Sequence, residues 1–242
     1  MILLPRRSAD HSVKEFQVAE TDQVRAVRDY YLHDNGDEPS IYHIWERGAG
    51  RGNVTTPSTS SEPYRQWMTE RLRGLLAESP NPALLSVGCG NAIIEAGLVA
   101  DGFRVLGVDP MEPAVELAKA KGVAVVCADA LNWTPPPGPW GVVYADGSLG
   151  HLYDPDTGVR PALDRFKSWL ADGGTLVLSV DPPWQEDDGV SKHPDLRYYF
   201  LPEAYLRRQL EECGFRDVSS SIFVFEKPET GPRDRLVFTG RV

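Results

Sequence analysis

The residues best suited to bind a ligand are Gly88 and Gly90, which follow a short apolar run and precede a helix-like segment. This order predicts a buried strand, a tight turn and a helix start, which is where doubly wound α/β sheets bind their ligands. Because glycine has no side chain, a bound group can approach the backbone closely and meet the free N–H groups of the helix. Cys89 and Asn91 belong to the same turn. The alternative is a tight turn that binds nothing.

A carboxylate follows the next predicted strand. Asp109 lies about 20 residues past the glycine turn, the spacing at which an acidic side chain meets ribose hydroxyls in such folds. A carboxylate can accept two hydrogen bonds at once, and Pro110 and Met111 offer apolar surface for a nucleotide base. Taken alone, Asp109 could instead cap a helix.

Two further candidates for chemistry follow the fourth predicted strand. His151 could take a proton from an attacking amine or hydroxyl, because the unperturbed pKa of histidine is about 6.5. Asp146 is the second candidate, either as the base or as the partner of a cationic substrate. The alternative for His151 is a structural role, in which its ring nitrogens bond to loop carbonyl groups.

The third small residue of the turn separates two kinds of nucleotide site. A dinucleotide-binding turn has the form G-x-G-x-x-G/A, which would place the bulky Ile93 at its last position. A small residue stands at Ala92 instead, so Gly88–Ala92 resembles the first motif of class I S-adenosylmethionine-dependent methyltransferases, with Ala92 replacing a third glycine. Ser86 stands where that family often has an acidic residue. The resemblance implies S-adenosylmethionine as the cofactor.

The resemblance extends to the residues after the third and fourth strands. It implies that Asp129 accepts a hydrogen bond from the adenine amino group and that the N–H of Ala130 meets a ring nitrogen. Ser148–Leu152 matches the Ser-x-Gly-His-Leu sequence of small-molecule N-methyltransferases such as the amino-sugar dimethyltransferases of antibiotic pathways. This run, which contains His151, should face the donor methyl group, and Tyr144 before it is assigned to the cofactor.

An aromatic segment near the N-terminus carries a second resemblance. The pair Tyr30-Tyr31 and the later Tyr42 and Trp45 are similar to the lid of glycine/sarcosine-type methyltransferases. Such a lid closes over the methionine end of the donor, where aromatic faces suit a sulfonium cation, and so implies that Tyr30, Tyr42 and Trp45 bind the cofactor. Glu46-Arg47 stand where the family usually has glycines. The alternative is that these aromatic side chains belong to the hydrophobic core and bind no ligand.

The candidate residues follow different strands, so they can form one site only if a sheet brings the ends of those strands together. Strands spaced by helices imply right-handed crossovers and a parallel sheet, and a closing hairpin implies an antiparallel edge. The sequence predicts strands at 84–87, 103–108, 123–128, 140–145 and 175–180, β-rich runs at 215–225 and 235–242, and helices at 22–33, 63–78, 92–101, 113–121, 161–171 and 202–213.

The resemblance implies an α/β fold with a doubly wound, mostly parallel, seven-stranded Rossmann-like sheet and a C-terminal antiparallel hairpin. On this basis residues 1–60 form a helical N-terminal lid. Residues 61–242 form the methyltransferase domain, with a substrate-covering insertion at 181–200.

The composition limits the partners. The 242 residues carry a formal net charge of −10, which argues against a nucleic-acid partner because phosphate backbones select basic surfaces. Three cysteines without a C-x-x-C pair support neither a disulfide framework nor a zinc site, and no other spacing suggests a metal. No apolar run is long enough to span a membrane, so we expect no membrane partner and a cytoplasmic location. A homodimer is one assembly compatible with these patterns, which do not specify the oligomeric state.

Together these patterns predict an enzyme that transfers a methyl group to an amine or hydroxyl of a small, cationic metabolite in bacterial secondary metabolism. Two other classes of function stay open. One is a nicotinamide-dependent oxidoreductase, against which Ile93 and Asp129-Ala130 argue. The other is a non-catalytic binding protein that kept the fold, for which Ser86 and Ala92 argue.

Overall fold

The structure is a computed structural model that describes residues 21–184 and 189–242 of the chain. Residues 1–20 of the predicted lid and residues 185–188 of the predicted insertion lie outside the described residues.

A seven-stranded sheet lies at the centre of the fold. Its strands are β1 (Ala83–Val87), β2 (Arg104–Asp109), β3 (Ala124–Cys127), β4 (Trp140–Asp146), β5 (Leu170–Val180), β8 (Arg216–Lys227) and β9 (Gly231–Arg241). Their order is β3-β2-β1-β4-β5-β9-β8, in which the first five are parallel and the last two continue the sheet antiparallel. The predicted fold class is therefore confirmed. The chain order reverses between β1 and β4, which is where ligands bind in such sheets.

Helices cover the sheet and its strand ends. They are α1 (Asp22–Leu32), α2 (Ile41–Glu46), α3 (Pro57–Ser60), α4 (Glu62–Glu78), α5 (Ile93–Ala100), α6 (Glu112–Ala120), α7 (Arg160–Trp169) and α8 (Glu203–Glu212). In the predicted insertion, β6 (Ser191–Lys192) pairs with β7 (Tyr199–Phe200) as a separate short hairpin.

The sequence of α4 shows why one face of the sheet is closed. The Ser61 hydroxyl accepts a hydrogen bond from the N–H of Tyr64 at 3.3 Å and caps the helix. Tyr64, Met68 and Leu72, four residues apart, are fully buried in a cluster that includes Leu84 of β1. This packing fixes the strand ends that carry the site.

The N-terminal helices form a separate small cluster above the strand ends. Val24 and Val27 of α1 pack with Trp45 of α2 and with Met111, which precedes α6. The predicted lid thus rests on the loop that follows β2.

Several boundaries differ from the predictions. Helices α2 and α3 lie within the predicted lid, in a stretch for which no individual helix is predicted. Helix α7 ends at Trp169, earlier than predicted, because Leu170 already pairs with Trp140 of β4. The closing hairpin is longer than predicted, since Glu226 pairs with Pro232 beyond the expected strand ends. Nowhere in 21–184 or 189–242 is a helix both long and apolar enough for a membrane crossing.

Candidate active site

A pocket of about 1080 Å³, part of it open to solvent, lies over the carboxyl ends of the central strands and under the helices α1–α3. All the predicted site residues except Tyr30 line it: Tyr42, Trp45, Gly88, Cys89, Gly90, Asn91, Asp109, Pro110, Met111, Asp129, Ala130, Tyr144, Asp146 and His151.

Contacts within the protein shape the glycine turn. Gly88 has φ +67°, and a Cβ at this position would overlap the Cβ of Ser148. The Ser148 hydroxyl donates to the carbonyl oxygen of Val87 at 2.6 Å and holds the β4 loop against the turn. Gly90 has φ +54°, and a Cβ there would lie 3.6 Å from the ring of Tyr42. The first glycine therefore admits a neighbouring loop, and the second lies beneath the lid.

Asp109 ends β2 and is only 4% exposed. Its Oδ2 accepts a hydrogen bond from the N–H of Gly90 and its Oδ1 one from the N–H of Met111, each at 2.9 Å. Burial raises the pKa of this carboxyl to about 6, although the two backbone bonds act to lower it. Each oxygen keeps a second lone pair, so the carboxylate can still accept hydrogen bonds from a ligand.

Asp129 follows β3 and links its loop to the lid. Its Oδ1 accepts a hydrogen bond from the N–H of Leu131 at 2.9 Å. Its Oδ2 accepts one from the side-chain amide of Asn132 at 3.0 Å and one from the Thr21 hydroxyl at 3.1 Å. Because Thr21 caps α1, the carboxylate predicted to meet adenine also fixes the start of the first lid helix.

The two neighbouring tyrosines of α1 differ in whether their rings face the pocket. Tyr31 lines the pocket, whereas Tyr30 does not and instead lies 4.7 Å from the guanidinium carbon of Arg51. Val24, Val27 and Tyr31 share one face of α1 because they are spaced i, i+3 and i+7. That periodicity was the signal in the sequence that could have selected Tyr31 over Tyr30.

His151 is bonded through both ring nitrogens. Its Nδ1 lies 3.0 Å from the carbonyl oxygen of Arg197, and because a carbonyl can only accept, Nδ1 carries the hydrogen. Its Nε2 therefore accepts from the Tyr31 hydroxyl, 2.8 Å away. Burial lowers the pKa of His151 to about 4, so the imidazole is neutral at pH 7.

A buried arginine holds the acidic side of the pocket. Arg235, 1% exposed, contacts Asp146 Oδ1 at 2.5 Å and Asp181 Oδ1 at 2.8 Å, and its Nε donates to the Ser179 hydroxyl at 2.7 Å. The two carboxylates compensate the charge of the guanidinium. Among the residues that the structure describes, none forms a hydrogen bond of good geometry with the second, buried oxygen of Asp146, Oδ2, and the Tyr144 hydroxyl is a polar group near this carboxylate.

Glu46, at the end of α2, connects the predicted lid to the glycine turn. Its carboxylate accepts hydrogen bonds from the side-chain amide of Asn91 at 2.8 Å and from the Lys121 ammonium at 2.5 Å. Glu46 thus joins α2 to the turn and to the end of α6. The side chain of Asn91, predicted to bind cofactor, is used for this bond.

Glu95 was missed by sequence reasoning although it lines the pocket. It lies in the first turn of α5, is 4% exposed, and accepts a 2.6 Å hydrogen bond from the Ser86 hydroxyl. Burial raises its pKa to about 7. The only sequence signal was the absence of a carboxylate at position 86. Arg235 gave no signal, because it reads as an ordinary strand residue.

The pocket fits the predicted cofactor. Val24 and Met111 supply apolar walls, Asp109 and Asp129 supply acceptors, and the buried hydroxyl of Tyr144 forms no hydrogen bond of good geometry with any residue of 21–184 or 189–242. Across the parts of the chain that the structure describes, no three His, Cys, Asp or Glu side chains are grouped to hold a metal ion.

Known proteins are similar to this chain in sequence and in fold. A family model described as a methyltransferase domain matches residues 61–220. The tabtoxin biosynthesis enzyme of Pseudomonas amygdali pv. tabaci is 36% identical over 221 residues, which cover 88% of this chain and 86% of that protein. The tRNA U34 carboxymethyltransferase of Vibrio atlanticus (strain LGP32) is 25% identical over 193 residues, which cover 73% of this chain and 57% of that protein.

One solved structure with a similar fold is the 1,6-didemethyltoxoflavin-N1-methyltransferase of Burkholderia thailandensis, with bound 1,6-didemethyltoxoflavin and S-adenosylhomocysteine. The TM-score is 0.61 at 23% identity, over 75% of this chain and 79% of that chain. At this identity the similarity shows the fold.

Proposed function

The chain belongs to the class I S-adenosylmethionine-dependent methyltransferases, and we propose that it methylates an amine, or a hydroxyl, of a small metabolite in bacterial secondary metabolism. Membership of this family overturns the nicotinamide-dependent and non-catalytic alternatives. The observation that carries the proposal is the lid: Tyr31, Tyr42 and Trp45 cover the pocket from above. An acceptor must therefore fit between the lid and the strand ends. The similarity to a relative named as a tabtoxin biosynthesis enzyme supports a small-molecule acceptor.

In this proposal residues 1–60 act as the lid of the domain formed by residues 61–242, and the insertion at 181–200 covers the acceptor. Asp129 and Ala130 would hold adenine, and Asp109 would hold the ribose hydroxyls. The remaining residues assigned to the cofactor are Gly88, Cys89, Gly90, Asn91, Pro110, Met111, Tyr144, Tyr42 and Trp45.

The acceptor side is assigned to Asp146, Tyr31 and His151. When bound, S-adenosylmethionine supplies an electrophilic methyl group on its sulfonium, and the enzyme gains most from positioning the acceptor against it. The Oδ2 of Asp146, for which the described residues supply no hydrogen bond of good geometry, suits an N–H of the acceptor. The acceptor's proton passes to the Tyr31 oxygen as Tyr31 gives its own proton to Nε2 of His151. An amine is favoured over a hydroxyl because it needs no proton removal before it attacks.

An RNA acceptor is the competing assignment, raised by the tRNA-modifying relative. A formal net charge of −10 opposes the binding of a phosphate backbone.

The test is an acceptor screen with S-adenosylmethionine. Amino sugars, amino-acid-derived amines, their hydroxyl analogues and total bacterial tRNA are incubated with the enzyme, and S-adenosylhomocysteine release and acceptor mass are measured. We expect methylation in the amine set, lost in Asp146→Ala. Methylation of tRNA alone would overturn the proposal.

A further inference from the structure

The inner end of the pocket holds a group of buried oxygen atoms that neither the adenine nor the ribose assignment uses. Ser86 and Tyr144 are direct partners in the parallel ladder of β1 and β4, so their side chains lie on the same face of the sheet. Glu95 reaches this face from α5 through its 2.6 Å hydrogen bond with the Ser86 hydroxyl. Tyr144 and Glu95, 1% and 4% exposed, both line the pocket.

Two observations indicate that this group is incomplete without a ligand. Within the described residues the buried hydroxyl of Tyr144 forms no hydrogen bond of good geometry, although burial and the nearby Asp146 carboxylate act to raise its pKa, and a buried polar group costs free energy unless something bonds to it. Burial, with Asp146 and Asp109 nearby, raises the pKa of Glu95 to about 7, although the bond from Ser86 acts to lower it. A positively charged group that donates several hydrogen bonds would bond to the Tyr144 oxygen and would favour the ionised form of Glu95.

The order of strand ends indicates which part of the cofactor arrives here. Asp129 follows β3, Asp109 follows β2, the glycine turn follows β1, and Tyr144 lies on β4, so these groups form a row along the sheet. Three strand spacings separate the ends of this row, about 14 Å. With adenine at Asp129 and ribose at Asp109, the amino-acid end of S-adenosylmethionine extends toward Glu95 and Tyr144. The positively charged donor at that end is the α-ammonium group.

We infer that Glu95 and Tyr144 form the subsite for the α-ammonium group of the cofactor, and that Glu95 supplies from α5 the carboxylate that related enzymes often carry at the position of Ser86. The inference deepens the proposed function and rests on it. The ammonium N–H groups donate to the Glu95 carboxylate and to the Tyr144 oxygen. Ser86 serves as a positioning residue, because its hydroxyl holds Oε1 of Glu95 in place.

The test compares two ligands that differ at the amino-acid end. S-adenosylhomocysteine has the α-ammonium group, whereas 5′-methylthioadenosine lacks the whole amino-acid end. Calorimetric titration should show that Glu95→Gln weakens the binding of S-adenosylhomocysteine at least 10-fold and leaves 5′-methylthioadenosine within 2-fold of the wild type. Glu116→Gln, an exposed acid on α6, is the matched control and should change neither affinity.

A relocation variant sharpens the test. Ser86→Asp/Glu95→Ser returns the carboxylate to β1 and should recover most of the affinity for S-adenosylhomocysteine that Glu95→Ser loses. The inference is overturned if Glu95→Gln binds S-adenosylhomocysteine normally, if both ligands weaken equally, or if the relocation variant binds no better than Glu95→Ser. These outcomes are independent of the acceptor screen, so the proposed function can stand while the subsite fails.

Discussion

The carboxylate of Asp109 has a structural role in addition to its proposed role in ribose binding, because its two oxygens accept hydrogen bonds from the N–H groups of Gly90 and Met111. Replacing Asp109 with Asn turns one acceptor into a donor, which cannot accept a hydrogen bond from a ribose hydroxyl or from a backbone N–H. We expect Asp109→Asn to weaken S-adenosylhomocysteine binding by about 10-fold to 100-fold, the worth of a charge-assisted hydrogen bond. Calorimetric titration measures this change.

The control for Asp109 is Asp172→Asn, an exposed acid near the start of β5, at the opposite end of the parallel strands. It should bind as the wild type does. Circular dichroism on Asp109→Asn separates a lost contact from a lost fold. Wild-type affinity in the folded Asp109→Asn protein would contradict the ribose assignment.

The second prediction at the residue scale concerns the hydrogen bond between Tyr31 and His151. If the acceptor's proton passes through Tyr31 to Nε2, His151→Ala and Tyr31→Phe should each lower turnover by about 10²-fold. The double variant should lose little more, because both changes interrupt one path. Turnover is measured as S-adenosylhomocysteine release with the best acceptor from the screen.

Tyr30→Phe is the matched control for Tyr31→Phe, because the Tyr30 ring lies outside the pocket lining. It should keep wild-type turnover. A loss of only a few-fold in His151→Ala would leave His151 as a structural residue that fastens the lid.

Single residues differ in how far the sequence could predict them. Gly90 and Asp109 follow from their spacing, because a strand end and a turn place them locally. Tyr31 was recoverable from helical periodicity. Glu95 and Arg235 were not, because each acts through a contact with a distant strand, Ser86 for the first and Asp146 for the second. Such contacts depend on tertiary packing.

At the scale of elements, helix α2 is fastened to the core through Glu46. Its carboxylate joins Asn91 of the glycine turn to Lys121 at the end of α6. Glu46→Gln removes the charge that both partners meet, so we expect faster hydrogen exchange in α2 and several-fold weaker cofactor binding. Exchange followed by mass spectrometry, with and without S-adenosylhomocysteine, measures both effects.

Glu38→Gln is the control for the lid, because Glu38 pairs with Arg47 at an exposed edge of the same segment. Exposed pairs contribute little, so its exchange pattern should match the wild type. An α2 that exchanges equally in Glu46→Gln and Glu38→Gln would mean that aromatic packing alone holds the lid.

The elements themselves were predictable where they alternate. Each predicted strand and helix from residue 84 onward exists, because buried apolar runs and amphipathic periods are local signals. The short helices α2 and α3 were not predicted, since six and four residues are too few to show a period. Strand β5 begins early at Leu170 because its neighbour β4 offers a pairing partner there, which no local pattern reveals.

At the scale of the whole molecule, the pocket brings together buried side chains whose pKa values are shifted in opposite directions. Burial raises the pKa of Glu95 to about 7 and that of Asp109 to about 6, and it lowers the pKa of His151 to about 4. A raised carboxyl pKa contributes stability that is complete below the ordinary value near 4 and is lost as pH rises through the folded value. The lowered histidine pKa contributes stability that is complete above about 6.5 and is lost as pH falls toward 4.

These opposite signs make the ligand-free enzyme a sensitive test of the site. Relative to the wild type, Glu95→Gln should gain unfolding free energy by about 1.4 kcal/mol per pH unit as the pH rises from 4.5 to 7, because the wild type alone must ionise a buried carboxyl. His151→Gln should show the opposite slope, gaining relative stability as the pH falls from 6.5 to 4. Urea unfolding across this range measures both, with Glu116→Gln expected to run parallel to the wild type. A pH-independent difference between Glu95→Gln and the wild type would show that Glu95 is not held as a buried carboxyl in the folded chain.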